Sequence, residues 1–314
     1  MLSRMLIENV ENKKQIELTQ LVGSRYVFKN EDIDWGSADA QHNIYSYPGQ
    51  VGSYVSSTNV KERTVILRGY VVYVPTKGEL QLEHSDLLRI IESKIEEGKN
   101  SLSNIVNPLQ YVRVTVGDYY ITGKPDSSVT FGKKLEESNE YFCKFTISLY
   151  CNDPMFHRKT NVQTVLSGSE PGFHFPLILK NTGFIFGRRY SYSLIGVVND
   201  GDVPVGGIFT IQATGTVKNV KIENVYTGEF VKIYKTLTAG EKVTINTTDG
   251  KERSIVGELN GVVKNYFQYW GFEGSWLQFG IGTSLIGYSV EEGEPQNVNI
   301  SFELNTKKYS LKEM

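Results

Sequence analysis

Polarity alternates every second residue through much of this chain. Tyr141, Cys143, Phe145, Ile147 and Leu149 share one side of an extended segment, and Phe142, Lys144, Thr146, Ser148 and Tyr150 share the other. That period places one row on a core and the other toward water, as in a half-buried antiparallel strand. Val298, Ile300, Phe302 and Leu304 alternate in the same way with Asn297, Asn299, Ser301, Glu303 and Asn305. Shorter strands are expected at 63–67, 70–74, 111–116, 119–122, 208–213, 218–224, 230–234, 242–246 and 255–259, where β-branched and aromatic residues gather. Asp249-Gly250 and Asn260-Gly261 follow two of these runs and read as hairpin turns.

One segment departs from the two-residue rhythm. Over 85–99, Leu87, Leu88, Ile91 and Ile95 recur three and four residues apart, opposite Glu92, Lys94, Glu96 and Glu97. This spacing predicts an amphipathic helix, with Ser85 as N-cap and Gly98 as its stop; Thr76 with Glu79 offers an alternative capping box upstream. A single helix among strands implies an antiparallel sheet with one helix laid on it. After Pro154 the periodicity lapses into Gly, Pro and polar residues through Pro176. The chain is therefore read as mainly β, with an α+β domain at 1–155, a linker at 156–175 and a β domain at 176–314.

Composition narrows the function. The chain has 314 residues, and its 33 Lys and Arg against 35 Asp and Glu leave a net charge of −2. No broad positive field results, which argues against partners such as nucleic acid or an anionic membrane. The N-terminal apolar patch at Met5, Leu6 and Ile7 is too short for a secretory signal, and no apolar run is long enough for a membrane helix, so synthesis in a reducing cytoplasm is expected. Cys143 and Cys151 lie too far apart along one strand to form a disulfide and read as small buried fillers.

Catalytic signals are wanting. Gly117 and Gly123-Lys124 miss the phosphate-loop spacing, and Pro125 replaces its hydroxyl residue. Gly280 and Gly282 lack the third glycine of a dinucleotide fingerprint, since Leu285 takes its place. His42, His84, His157 and His174 are scattered without metal-ligand spacing, and no serine occupies a nucleophile elbow. The expectation is no enzyme, no catalytic or metal residue and no cofactor. The cluster Tyr266, Phe267, Tyr269, Trp270, Phe272 and Trp276 is the one candidate surface. It reads as core, as a subunit interface, or as a glycan platform centred on Trp270, Trp276 and Tyr269.

Several stretches, in order, resemble the distal tail protein family of long-tailed phages and prophages. In the first half these are Tyr47-Pro48-Gly49-Gln50-Val51-Gly52, then 63–69 (RTVILRG), then the helix, then 145–156 (FTISLYCNDPMF) with its Asp-Pro-aromatic end. The second half offers Asn199-Asp200-Gly201-Asp202-Val203-Pro204, Ile222-Glu223-Asn224, Thr227-Gly228-Glu229, Gly240-Glu241 and Ile245-Asn246-Thr247. The resemblance implies a ring-forming tail-hub domain followed by a galectin-like β-sandwich. It further implies a hexameric ring of self-associating copies at the virion tail tip, assembled in the host bacterial cytoplasm. Such a ring joins the major tail tube protein to a tail-associated fibre or lysin and holds receptor-binding proteins. The alternative is a lectin-like module recognising host cell-wall glycan.

Overall fold

The structure is a computed structural model that describes residues 4–21, 23–49, 51–134, 136–171, 187–191, 194–250 and 252–311. The chain forms two compact units, residues 1–159 with 309–314 and residues 160–308. Of the stretch 156–175, one strand belongs to the first unit and another to the second.

The first unit contains β1 (Arg4–Asn9), β2 (Gln15–Thr19), β3 (Tyr26–Val27), β4 (Ile33–Asp34), β5 (Ala40–Tyr45), β6 (Tyr54–Val60) and β7 (Arg63–Val72). Helix α1 (His84–Ile105) precedes β8 (Val112–Val116), β9 (Tyr119–Pro125), β10 (Thr130–Phe131), β11 (Phe142–Cys151) and β12 (Phe156–Arg158). The strands pair in the order β10-β11-β7-β3-β2-β1-β8-β9-β12. Strand β9 also meets β11, with Leu149 opposite Pro125 and Tyr150 opposite Lys124, so the sheet curls until it closes on itself. Closure removes most free edges. The alternation expected over 141–149 is present in β11, where Cys143, Phe145, Ile147, Leu149 and Cys151 face the core. Both cysteines are free and buried, and burial pushes the Cys151 thiol up to about 12.

The stretches 63–67 and 70–74, expected as two strands, are largely one. Gly69 allows this, because a Cβ there would lie 2.8 Å from the Phe145 ring and 2.9 Å from the Val27 carbonyl. The helix is also longer than its sequence signals. It begins at His84 after Glu83, without a side-chain cap, and runs to Ile105. Thr76 and Glu79 do form reciprocal capping contacts, but at a separate short turn, Glu79–Gln81. Gly98 does not stop the helix. It is a contact point, where a Cβ would come 2.6 Å from Val71, and its carbonyl accepts the Tyr26 hydroxyl at 3.1 Å. Ile91, Ile95, Leu102 and Ile105 bury against the sheet's own Met5, Ile7, Leu18 and Val71.

The second unit stacks two antiparallel sheets over one core. Its strands are β13 (Val162–Pro171), β14 (Gly187–Ser191), β15 (Leu194–Asn199), β16 (Gly207–Ala213), β17 (Val217–Asn224), β18 (Phe230–Leu237), β19 (Lys242–Asn246), β20 (Ser254–Leu259), β21 (Val262–Asn265), β22 (Gly282–Ser289) and β23 (Val298–Leu304). One sheet runs β14-β13-β23-β16-β19-β20-β21 and the other β15-β22-β17-β18. The inward row of β23 (Val298, Ile300, Phe302, Leu304) is fully buried, as its alternation requires. Phe302 stacks on Phe209 at 4.4 Å and meets Phe279 at 4.9 Å. Asn260 and Gly261 both adopt positive φ, 52° and 76°, and turn β20 back into β21. This is the left-handed backbone that an Asn-Gly hairpin needs.

Candidate functional site

A two-stranded arm leaves the first unit between β4 and β7. Strands β5 and β6 pair only with each other, and every described residue from 40 to 60 is exposed. That stretch contains no Asp, Glu, Lys or Arg, in a chain that is 22% charged. Its base is polar: His42 Nδ1 lies 2.8 Å from the Thr58 hydroxyl, and the Asn43 amide donates to Ser57 at 2.8 Å. Toward the tip a bulge after Asn43 shifts the register, and apolar pairs take over. Tyr45 lies opposite Tyr54 and Ile44 opposite Val55. Adjacent residues on a strand point to opposite faces, so both faces of the tip are apolar. Tyr45 and Tyr54 are 59% and 64% exposed. Free edges of soluble proteins usually carry charge to block pairing with other chains; this arm has none. The loop at its tip, Tyr47–Gly52, is legible in the sequence but its two strands are not; the uncharged run is the signal they leave.

The same unit carries an apolar groove of about 290 Å³, lined by Val27, Tyr70, Val72, Tyr73, Tyr141 and Phe142. The outward rows of β3, β7 and β11 form its floor. Val27 is paired with Tyr70 and Val72 with Phe142, and the Phe142 ring meets Tyr70 edge-on at 5.7 Å. The lining contains no Asp, Glu, His, Lys or Arg.

The aromatic cluster divides in two. Trp270 and Trp276 lie 4.8 Å apart, with Phe267 5.5 Å from Trp270 and Phe272 5.7 Å from it. The Arg253 guanidinium sits 5.9 Å above Trp276. Both tryptophans are half-buried against the second core, whereas Phe272 is 83% exposed. Tyr269 turns away from this pair. It meets Tyr266 edge-on at 5.2 Å, beside the Lys235 ammonium. Tyr266 in turn donates to the buried carboxylate of Glu241 at 2.7 Å, and Lys235 donates to the same oxygen at 2.6 Å. Burial would raise the Glu241 carboxyl, yet the bonds from Lys235, Tyr266 and the Thr238 amide outweigh it and hold it below its usual range. Burial and the bond to Glu241 push the Tyr266 phenol up to about 12.

The motifs that carried the resemblance serve as turns and buried polar anchors. Asn199 is buried and donates to the Val203 and Phe279 carbonyls at 2.8 and 3.0 Å, while its oxygen accepts the Gly201 amide at 3.0 Å. A Cβ on Gly201 would lie 2.6 Å from the Lys307 carbonyl. The Thr247 hydroxyl sits between the Gly207 and Leu277 carbonyls and accepts the Gly207 amide at 2.9 Å. In the first unit Asp153 accepts the Met155 amide at 3.1 Å and contacts His157 at 2.9 Å, turning the chain so that Phe156 is buried. Phe156 packs edge-on to Trp35 at 5.5 Å, under the Arg63 guanidinium at 4.9 Å. Among the described residues, no group of three or more His, Cys, Asp or Glu is placed to hold a metal ion, and no helix is long and apolar enough to cross a membrane.

Residues 200–305 match the family described as siphovirus-type tail component, C-terminal domain. Among curated proteins, none matches the sequence. Among solved structures, the chain is similar to the SPP1 Dit (gp 19.1) protein, described as a paradigm of hub adsorption apparatus in phages infecting Gram-positive hosts. The TM-score is 0.54 at 13% identity, covering 88% of this chain and 92% of that one. A weaker likeness, TM-score 0.46 at 10% identity over 97% and 98% of the two chains, is to a structure of the phage P2 baseplate in its activated conformation. The mainly β fold is thus shared with a phage hub protein at an identity too low for residue-by-residue transfer. Residues 200–305 thus match a siphovirus-type tail-component domain and most of the chain shares the fold of a hub protein, in agreement with the resemblance read from the residues.

Proposed function

We propose that six copies of this chain close into a ring at the end of the tail tube and act through interfaces rather than chemistry. The ring joins the tube protein to a tail-tip fibre or lysin and offers its periphery to receptor-binding proteins. The uncharged arm at residues 40–60, exposed at every described residue, carries this reading. Apolar strand pairs left open to water on both faces are a liability in a monomer and an asset in an assembly. The test is mass measurement under native conditions together with electron microscopy. A six-fold ring with an axial hole is expected, and a chain that stays monomeric at high concentration, alone and with tail-tube protein, overturns the reading.

A second reading has its own observation, the exposed Phe272 ring tilted against Trp270 of the Trp270–Trp276 pair, with Arg253 over Trp276. Clustered exposed aromatics edged by a charged side chain suit a sugar face. Host cell-wall polysaccharide should then shift tryptophan emission, and Trp276→Ala should abolish the response. An unmoved spectrum removes this reading and leaves the ring intact.

A further inference from the structure

We infer a self-modifying site at the turn between β20 and β21, where Asn260 loses its side-chain amide to attack by the Gly261 nitrogen. Asn260-Gly261 is the one Asn-Gly pair in the sequence. Both residues are exposed, and both hold positive φ. Neither the Asn260 side chain nor the Gly261 amide has a hydrogen-bond partner among the described residues. Nothing lies within 4 Å of where a Gly261 Cβ would stand, so no neighbour shields the nitrogen and the glycine is free to swing into line with the side-chain carbonyl. Other asparagines lack one of these conditions. Asn219 also has positive φ, 56°, but its amide donates to Glu291 and the β-branched Val220 follows it. Asn199 and Asn224 are buried. The amide after Asn224 donates to the Leu285 carbonyl at 2.8 Å, and the amide after Asn246 donates to the Gly207 carbonyl at 2.9 Å. The site depends on neither the ring nor the sugar platform.

The step balances with water as its only co-reactant and no change of oxidation state. The Gly261 N–H gives its proton to hydroxide, the nitrogen bonds to the Asn260 side-chain carbonyl carbon, and the bond from that carbon to the side-chain nitrogen breaks, releasing ammonia. Water then opens the cyclic imide at either carbonyl. One opening leaves aspartate; the other leaves isoaspartate, whose backbone is longer by one carbon. Both place a negative charge on a tip whose next residues, Val262 and Val263, are 56% and 63% exposed. A two-residue loop fixes the register of its hairpin, so the longer backbone loosens Leu259 and Val262, the pair that flanks the turn. The far end of the hairpin is pinned. There the Tyr266 amide donates to the Ile255 carbonyl at 2.8 Å and the Tyr266 hydroxyl donates to Glu241 at 2.7 Å.

Peptide mapping of the unaltered chain after incubation at neutral and at mildly alkaline pH tests the site, with isoaspartyl methyltransferase labelling to mark isoaspartate. Amide loss should be fastest at Asn260 and should quicken as pH rises, because the attacking nitrogen must first lose its proton. The label should be missing from the same peptide of Asn260→Gln, whose longer side chain closes the ring far more slowly. In the converted chain, hydrogen exchange should speed at Leu259 and Val262 while Tyr266 stays protected. If Asn260 keeps its amide through an incubation that converts the isolated peptide 256–265, or if another asparagine reacts first, the site is overturned. Exchange that rises equally at Tyr266, or does not rise at Val262, overturns the confinement of the change to the tip.

Discussion

Glu241 is a carboxylate whose side chain is 1% exposed, held by Lys235, Tyr266 and Thr238. Tyr266 reaches it because Gly257 has no side chain; a Cβ there would come 2.0 Å from the Tyr266 ring. Removing one partner of a buried ionic cluster leaves the others unsatisfied, so Glu241→Ala should cost about 2–4 kcal/mol in denaturant unfolding. The pH dependence has two limbs of known sign. The folded-state pKa of Glu241 is depressed, so its contribution is complete above the ordinary carboxylate range near 4.3 and disappears as pH falls through the folded value. The Tyr266 phenol is raised to about 12, so its contribution is complete below about 10 and is lost as pH climbs toward the folded value. Stability curves of Glu241→Gln and Tyr266→Phe, subtracted from the unaltered protein, should flatten the acid and alkaline limbs respectively. Equal slopes in variant and parent would show that this cluster does not titrate with folding.

At the scale of elements, the arm is the clearest case of structure without folding work. Its strands pair only with each other, and its root is already joined by the Lys61 amide donating to the Asp39 carbonyl at 2.8 Å. Replacing residues 41–59 by a short Gly-containing turn should therefore leave the unfolding free energy within about 0.5 kcal/mol of the parent, the ordinary range for surface changes, while abolishing assembly. A large drop in melting temperature would mean that the arm is part of the core after all. The same contrast explains what the sequence made legible. Strands β11 and β23 were readable because one face is buried and the other wet, so polarity has to alternate. The arm has no buried face, and its apolar residues fall on both sides; period-two reading finds nothing there. The helix is legible by its buried stripe but its end is not, because Gly98 marks close approach to Val71 rather than a stop. Closure of the first sheet depends on Leu149 meeting Pro125, a long-range pairing that no local pattern encodes. The aromatic cluster was visible as composition. Its division, with Tyr269 beside Tyr266 and the tryptophans beside Phe272, was set by the β18–β21 surroundings.

For the whole molecule, the two units have separate cores, and the chain returns to the first one at its end. Residues 309–314 belong with 1–159: Leu311 packs against the first core, and the Tyr309 carbonyl accepts the Arg63 guanidinium at 2.5 Å. Arg63 is only 3% exposed, and burial lowers its pKa, so this carbonyl replaces part of the water the cation has lost. A chain ending at Lys308 strands that charge and uncovers apolar surface, a loss of about 2–3 kcal/mol by the usual cost of an orphaned charged donor with some lost packing. In a unit of this size that amounts to a fall of about 4–12 °C. Because Arg63, Phe156 and Leu311 all lie in the first unit, the loss should fall on one core alone. Calorimetry of the shortened chain should show a first-unit transition moved down and a second-unit transition unmoved, with the tryptophan fluorescence of Trp270 and Trp276 reporting the second and Trp35 the first. A uniform downward shift of both would instead mean that the two cores unfold as a single cooperative body.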